Sequence, residues 1–220
     1  MTDVFSLLYK PLIETLYMTF ISSFFALLLG FPLGILLVIT AEDGISKKAK
    51  FYSILSLIVN ILRSFPFIIL MILVFPLSRI IIGTTIGTSA AIVPLSIAAT
   101  PFVARIIESA LREVDSGLVE AAQAMGSSTW QIITKVLLKE ALPGLILGIT
   151  LSIISLIGYS AMAGAIGAGG LGDLAIRYGY QRFKTDVMIV SVIALIIIVQ
   201  LTQLVGGKAA AYIVKKRSRT

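Results

Sequence analysis

The sequence predicts an all-α polytopic membrane protein with five transmembrane helices, its N-terminus outside and its C-terminus inside. Three observations carry this. Only 13% of the 220 residues are charged, about half of what a soluble domain carries, and the mean hydropathy is +1.03. The apolar residues fall in five runs, each near the roughly 20 residues a helix needs to cross a bilayer. The lysines and arginines lie between and beyond those runs, biased to one side.

The first span is expected near Thr15–Ile39. Asp3, Lys10 and Glu14 precede an apolar run of about 25 residues, too long for the apolar region of a signal peptide. The second span is expected within Phe51–Leu77, the third near Thr84–Val103, the fourth near Ala141–Ala163 and the fifth near Val187–Val205. Pro32, Pro66, Pro94 and Pro101 fall in these segments. Gly30/Gly34 and Gly144/Gly148 stand at small-xxx-small spacing. Such residues allow kinks and close helix approach, so packing is their first reading and a hinge the second.

With the N-terminus outside, 12 basic residues fall inside, among them Arg105, Arg112, Lys208 and Arg219, against 5 outside (Lys10, Arg79, Arg177, Arg182 and Lys184). The formal charge of +7 therefore reads as topology rather than as nucleic-acid binding. The chain reads as one membrane domain over residues 1–220, with no internal repeat. An odd number of spans excludes an inverted repeat of equal halves. A homodimer would surround a central path symmetrically.

Residue supply argues against an enzyme. There is no cysteine and no histidine, which removes thiolate chemistry and the usual general base and metal ligand. No G-x-x-x-x-G-K-[ST] cradle for nucleotide phosphates occurs. Gly167-Ala-Gly-Gly-Leu-Gly172 fits G-x-G-x-x-G, but a dinucleotide site needs a preceding strand and here an apolar helix precedes. A tight external turn is expected instead, and no cofactor. The Asp173, Arg177, Tyr178, Tyr180, Arg182 and Lys184 that follow suit either a partner or solvent.

Arg63 is the one charge left inside a span. It shares a helix face with Ser53, Ser56 and Asn60 at three- and four-residue spacing. Intramembrane ions are costly and usually face protein or water. Arg63 is therefore an anchor near a path or a partner, or part of a face that meets headgroups. An ion-coupled carrier would need carboxylates within spans, whereas the acidic residues here are expected near span ends or in loops. A scaffold that carries no solute is a weaker reading.

Residues 115–143 form a polar island on the inner side. Ser116 is expected to cap a helix through Glu120, Ala121 and Ala122 to Met125. Gly126 then takes a left-handed C-terminal position, and Ser128 with Gln131 has capping-box spacing for a second helix. The small Ala121 and Ala122 fit a tight groove, and Glu120 offers a charge to a basic partner. From the residues alone, an ordinary helical hairpin fits equally well.

The island resembles the EAA loop of ABC-importer permeases: Glu-Ala-Ala, three residues, Gly, nine residues, then an Ile-x-Leu-Pro-like ending. Glu120, Ala121, Ala122, Gly126, Val136 and Leu138 match. Lys139 departs where the family usually has proline, so the second short helix is expected to continue smoothly towards Glu140 and Pro143. Asn60-Ile-Leu-Arg-Ser-Phe-Pro-Phe67, Gly83-Thr-Thr-Ile-Gly87, Ala91-Ile-Val-Pro-Leu95 and Gly158-Tyr-Ser-Ala-Met-Ala-Gly164 are similar to the permease subunit of methionine-uptake ABC importers. The resemblance covers roughly residues 10 to 205. It implies a permease homodimer in the bacterial cytoplasmic membrane, two copies of a separate ATPase docked on a cytoplasmic two-helix coupling loop over 115–140, and an external substrate-binding lipoprotein. It also implies that Tyr159, Ser160 and Met162 line the translocation path, with Met162 as a gate. Methionine, the D-isomer or close analogues included, is the implied cargo.

Overall fold

The computed structural model describes the backbone of residues 2–217 and the side chains from Ser6 to Arg217; Arg219 lies outside the described residues. Among them there is no strand. In chain order the helices are α1 (Thr2–Thr40), α2 (Ala49–Ser64), α3 (Phe67–Ile82), α4 (Thr88–Arg112) and α5 (Ser116–Ala124). Then come α6 (residues 129–140), α7 (Leu142–Gly164), α8 (residues 170–180) and α9 (Thr185–Arg217). Both α6 and α8 contain a π-helical stretch, over Ile132–Leu137 and Ala175–Tyr180. The sequence gives no warning of either.

Among the described residues four helices, α1, α4, α7 and α9, are long and apolar enough to cross a membrane. The second expected span is not one straight helix. It is the pair α2 and α3, bent by 105° at Phe65-Pro66, and it supplies a fifth crossing only if the pair counts as one. The cause is local. The residue before a proline is pushed out of the helical region, and Phe65 is extended at φ −68°, ψ 131°. Pro66 then opens α3 without needing an N–H.

The third span also differs from its expected range. α4 continues to Arg112, nine residues past Val103, because its charges are neutralised within the protein (below). It is the central helix: most of it is buried, and Leu95, Val103, Ile107 and Leu111 form the middle of the core. Lipid tails give helices little hydrophobic reason to associate, so close backbone approach does the work. A Cβ on Gly30 would lie 2.8 Å from Val103, and one on Gly34 would lie 2.6 Å from Ile107. Across α4, a Cβ on Gly148 would collide with Ile106. The two small-xxx-small pairs thus grip α4 from α1 and from α7, which is the packing reading. Serine and threonine hydroxyls in α4 donate back to their own helix, as Ser96 does to the Ile92 carbonyl at 2.7 Å.

The helix ends gather at two ends of the molecule. One holds the 41–48 loop, the tail of α4, α5, α6 and the tail of α9. The other holds the glycine-rich turn between α7 and α8. Gly167, Gly169 and Gly170 have φ of +96°, +84° and +80°, so the expected tight turn is present. The Gly170 N–H donates to Glu14 Oε2 at 2.9 Å, the Leu171 N–H to Thr15 Oγ1 at 2.8 Å, and the Gly87 N–H to the Gly167 carbonyl at 3.0 Å.

Candidate functional site

The polar island folds as two short helices about a glycine. Asp115, not Ser116, is the N-cap: its Oδ1 accepts from the Gly117 N–H at 2.7 Å. Aspartate one residue earlier satisfies the same orphan donors, and its charge suits the positive helix end. At the other end of α5, the Gly126 N–H donates to the Gln123 carbonyl and the Ser127 N–H to the Ala122 carbonyl, at 2.9 and 3.0 Å. That is a Schellman closure, and it requires the φ of +77° that Gly126 adopts. Ser128 and Gln131 then form the expected reciprocal capping box. α6 does run on to Glu140, with the π stretch inside it, before Ala141 breaks the chain into α7.

The face of this loop is partly what the residues suggested. Glu120 and Ala121 are exposed, whereas Ala122 turns inward and joins the core. Sequence reasoning missed the apolar side chains beside them. Leu118, Met125 and Trp130 are 47%, 79% and 72% exposed. Large apolar groups exposed on a polar loop mark an interaction surface. Glu120 also borders a groove of about 570 Å3 between α5 and the 41–48 loop, shared with Asp43, Lys47, Arg112 and Gln123.

A buried ionic cluster supports that groove. Glu108 lies in the last turns of α4, near a span end as expected, but it is buried, at 4% exposed. Its carboxylate does not stand alone. Arg105 Nη1 donates to Oε2 at 2.5 Å, and Arg112 Nε and the Tyr52 hydroxyl reach Oε1 at 3.2 and 3.3 Å. Arg105 also donates to the Ser56 side chain and, at 3.0 Å, to Asn60 Oδ1. Arg112 reaches back to Asp43 at 3.0 Å. The polar face read on α2 is real, but Ser56 and Asn60 serve Arg105 rather than Arg63. The spacing of Arg105, Glu108 and Arg112 was the available signal, since residues three and four apart meet on a helix.

Arg63 lies in the last turn of α2 and is exposed. It lines a cavity of about 240 Å3 with Phe67, Ala98, Phe102 and Tyr159. The Tyr159 ring stacks on Phe67 at 4.4 Å between centroids, nearly parallel at 9°. The structure thus brings Arg63 and Tyr159 together. It separates Ser160 and Met162 from each other. Ser160 is 1% exposed and donates to the Ile157 carbonyl at 2.7 Å, whereas Met162 is 47% exposed.

Comparison with known proteins agrees with this architecture. The family of binding-protein-dependent transport system inner membrane components matches residues 30–219. The probable D-methionine transport system permease protein MetI of Pasteurella multocida (strain Pm70) is 50% identical over 198 residues, covering 90% of this chain and 91% of that one. Its counterpart from Vibrio cholerae serotype O1 is 51% identical over 193 residues, 88% of this chain and 86% of its own. Among solved structures, an inward-facing MetNI methionine ABC transporter (CY5 native crystal form) superposes with a TM-score of 0.94 at 47% identity, covering 97% of this chain and 99% of that one. This chain belongs to the family of binding-protein-dependent transport system inner membrane components.

Proposed function

We propose that the chain is the transmembrane permease subunit of an ABC importer that carries methionine, the D-isomer included, across the bacterial cytoplasmic membrane. It is a transport permease and not an enzyme; a separate ATPase hydrolyses ATP. The working unit is a homodimer with two ATPase copies on one side and a substrate-binding lipoprotein on the other. The observation that carries the coupling role is the α5–α6 loop: a rigidly capped helix pair that presents Glu120, Ala121 and an exposed apolar patch, turned about Gly126. One such loop per protomer docks one ATPase. ATP binding then draws the two protomers from an inward-open to an outward-open arrangement. The ATPase can do this only by binding the two arrangements with different affinity.

Tyr159 and Met162 belong to the path in this reading, with the exposed Met162 as the gate against its symmetry mate. Ser160, committed to its own helix, supports the wall behind them. An ion-coupled carrier is disfavoured because Glu108 is already matched by two arginines and has no free place for a driving ion.

The test is methionine uptake into proteoliposomes that hold the permease, its cognate ATPase and, on the opposite side from ATP, the binding protein. Uptake that needs all three and ATP is the expected result. Hydrolysis stimulated by the binding protein without methionine uptake would keep the machine and change the cargo. Absence of both would end the importer reading.

A further inference from the structure

An arginine at the α2–α3 break with no carboxylate beside it is the feature that the coupling and gating roles leave unexplained. Arg105, Arg112, Arg177 and Arg217 are each held by a carboxylate. Among the described residues Arg63, Arg79 and Arg182 have none; Arg182 lies over the Tyr178 ring and Arg79 ends α3, whereas Arg63 lines a cavity. Its guanidinium is never neutral, and an unpaired charge within spans marks a solute path or a water-filled cavity.

We infer that the cavity at the α2–α3 break is a transient station for the cargo, in which Arg63 takes the amino-acid carboxylate and the Phe67–Tyr159 stack faces its apolar side chain. This deepens the importer reading and rests on it for the cargo class. Three observations converge. The cavity, at about 240 Å3, holds a solute of several heavy atoms, since a water occupies about 30 Å3. One wall is a guanidinium, whose fork suits a carboxylate. The other is a stacked aromatic pair, and aromatic rings attract thioether sulfur.

Depth separates cargo from lipid as the source of the anion. Ala98, on the cavity wall, lies about 15 Å along α4 from Thr88 and about 21 Å from Arg112, so the cavity sits near the middle of the central apolar helix. A headgroup phosphate does not reach there without deforming the bilayer. Discontinuous helices near the midplane are also where transporters commonly build solute sites. A small, half-open cavity with one charged anchor suits a weak stop on a path rather than a tight site.

The experiment is equilibrium binding of radiolabelled methionine to the permease–ATPase complex in nanodiscs, without the binding protein. Unlabelled methionine should compete, and the corresponding thioether amine, which lacks the carboxylate, should not. Arg63→Gln should weaken binding roughly tenfold or more, the scale of one lost charge-assisted hydrogen bond. Arg63→Lys keeps the charge without the fork and should fall between. Changing the nanodisc from zwitterionic to anionic lipid should leave binding in place. The inference is overturned if Arg63→Gln binds like wild type, if the amine competes as well as methionine, if anionic lipid displaces methionine, or if wild type binds none while its ATP-driven uptake is intact. The amine competition uses wild type alone, so a variant that fails to assemble does not remove the readout. Wild-type uptake tests the parent reading separately: its absence sinks the importer, whereas uptake with any of the four results above sinks only the station.

Discussion

The two ends of this molecule are held together by different chemistry. At the loop end, side chains do the joining. Arg105, Glu108, Arg112 and Asp43 link α4 to itself and to the 41–48 loop, and Arg217 ties the tail of α9 to Glu140 at 3.3 Å. At the turn end, glycine backbones do most of it, with Glu14 and Thr15 accepting from backbone N–H groups. Gly172 lies against the Ala161 backbone so closely that no Cβ fits, and Gly164 meets Asp173 in the same way. Long charged side chains can exchange partners through small rotations. Glycine contacts either fit or fail. The loop end is therefore built to adjust while the turn end stays fixed, which suits a machine pushed from one side.

The harshest break of this contrast is Glu108→Ala. It leaves Arg105, only 17% exposed, with neutral partners alone, and takes from Arg112, 35% exposed, one of its two carboxylates. Removing one member of a buried ionic cluster typically costs about 3–5 kcal/mol. Thermal unfolding of the purified protein in detergent should show the loss, and Glu108→Gln, which keeps one acceptor oxygen, should recover part of it. If Glu108→Ala unfolds like wild type, the cluster is not what holds the loop end.

Gly172→Ala attacks the other end and should cost somewhat less, about 1–3 kcal/mol, the usual penalty of forcing a methyl group into a filled site. The atoms it meets are backbone, so a rotamer change cannot relieve it. Unfolding midpoints measured beside those of Gly30→Ala, whose neighbours include the Val103 side chain, sharpen the point. The turn end is rigid only if Gly172→Ala is the worse of the two.

Much of this contrast was open to reading before any coordinates. Apolar runs located the long helices because burial in lipid demands them. Gly126 and the Ser128–Gln131 pair were legible because capping is local. What stayed hidden depended on distant partners. Pro66 marks a weak point, yet a 105° break rather than a kink is decided by how α3 packs on α4. Ending the third span at Val103 leaves Arg105 and Glu108 outside it, whereas their partners come from α2 and from α4 itself. Asp115 was overlooked for Ser116, a neighbour with the same capping ability. The division between Ser160 and Met162 was within reach, since residues two apart on a helix point about 200° around the axis from each other.

Gly126→Asp is the mildest of the three substitutions for the fold and the most telling for function. Nothing lies within 4 Å of a Cβ built on Gly126, so the protein itself has room for the side chain. The strain is the left-handed backbone, about 1–2 kcal/mol for an ordinary residue and less for aspartate. Any large functional loss must then come from outside the chain, where the new charge meets the docked ATPase. Gly126→Ala separates the two effects, because it carries the strain without the charge. The expected pattern in the reconstituted importer is a modest loss of uptake for Gly126→Ala and a severe one for Gly126→Asp, with unfolding midpoints close to wild type for both. Equal losses would assign the effect to backbone strain inside α5–α6. Normal uptake by Gly126→Asp would mean that the adjustable end of the molecule is not where the ATPase pushes.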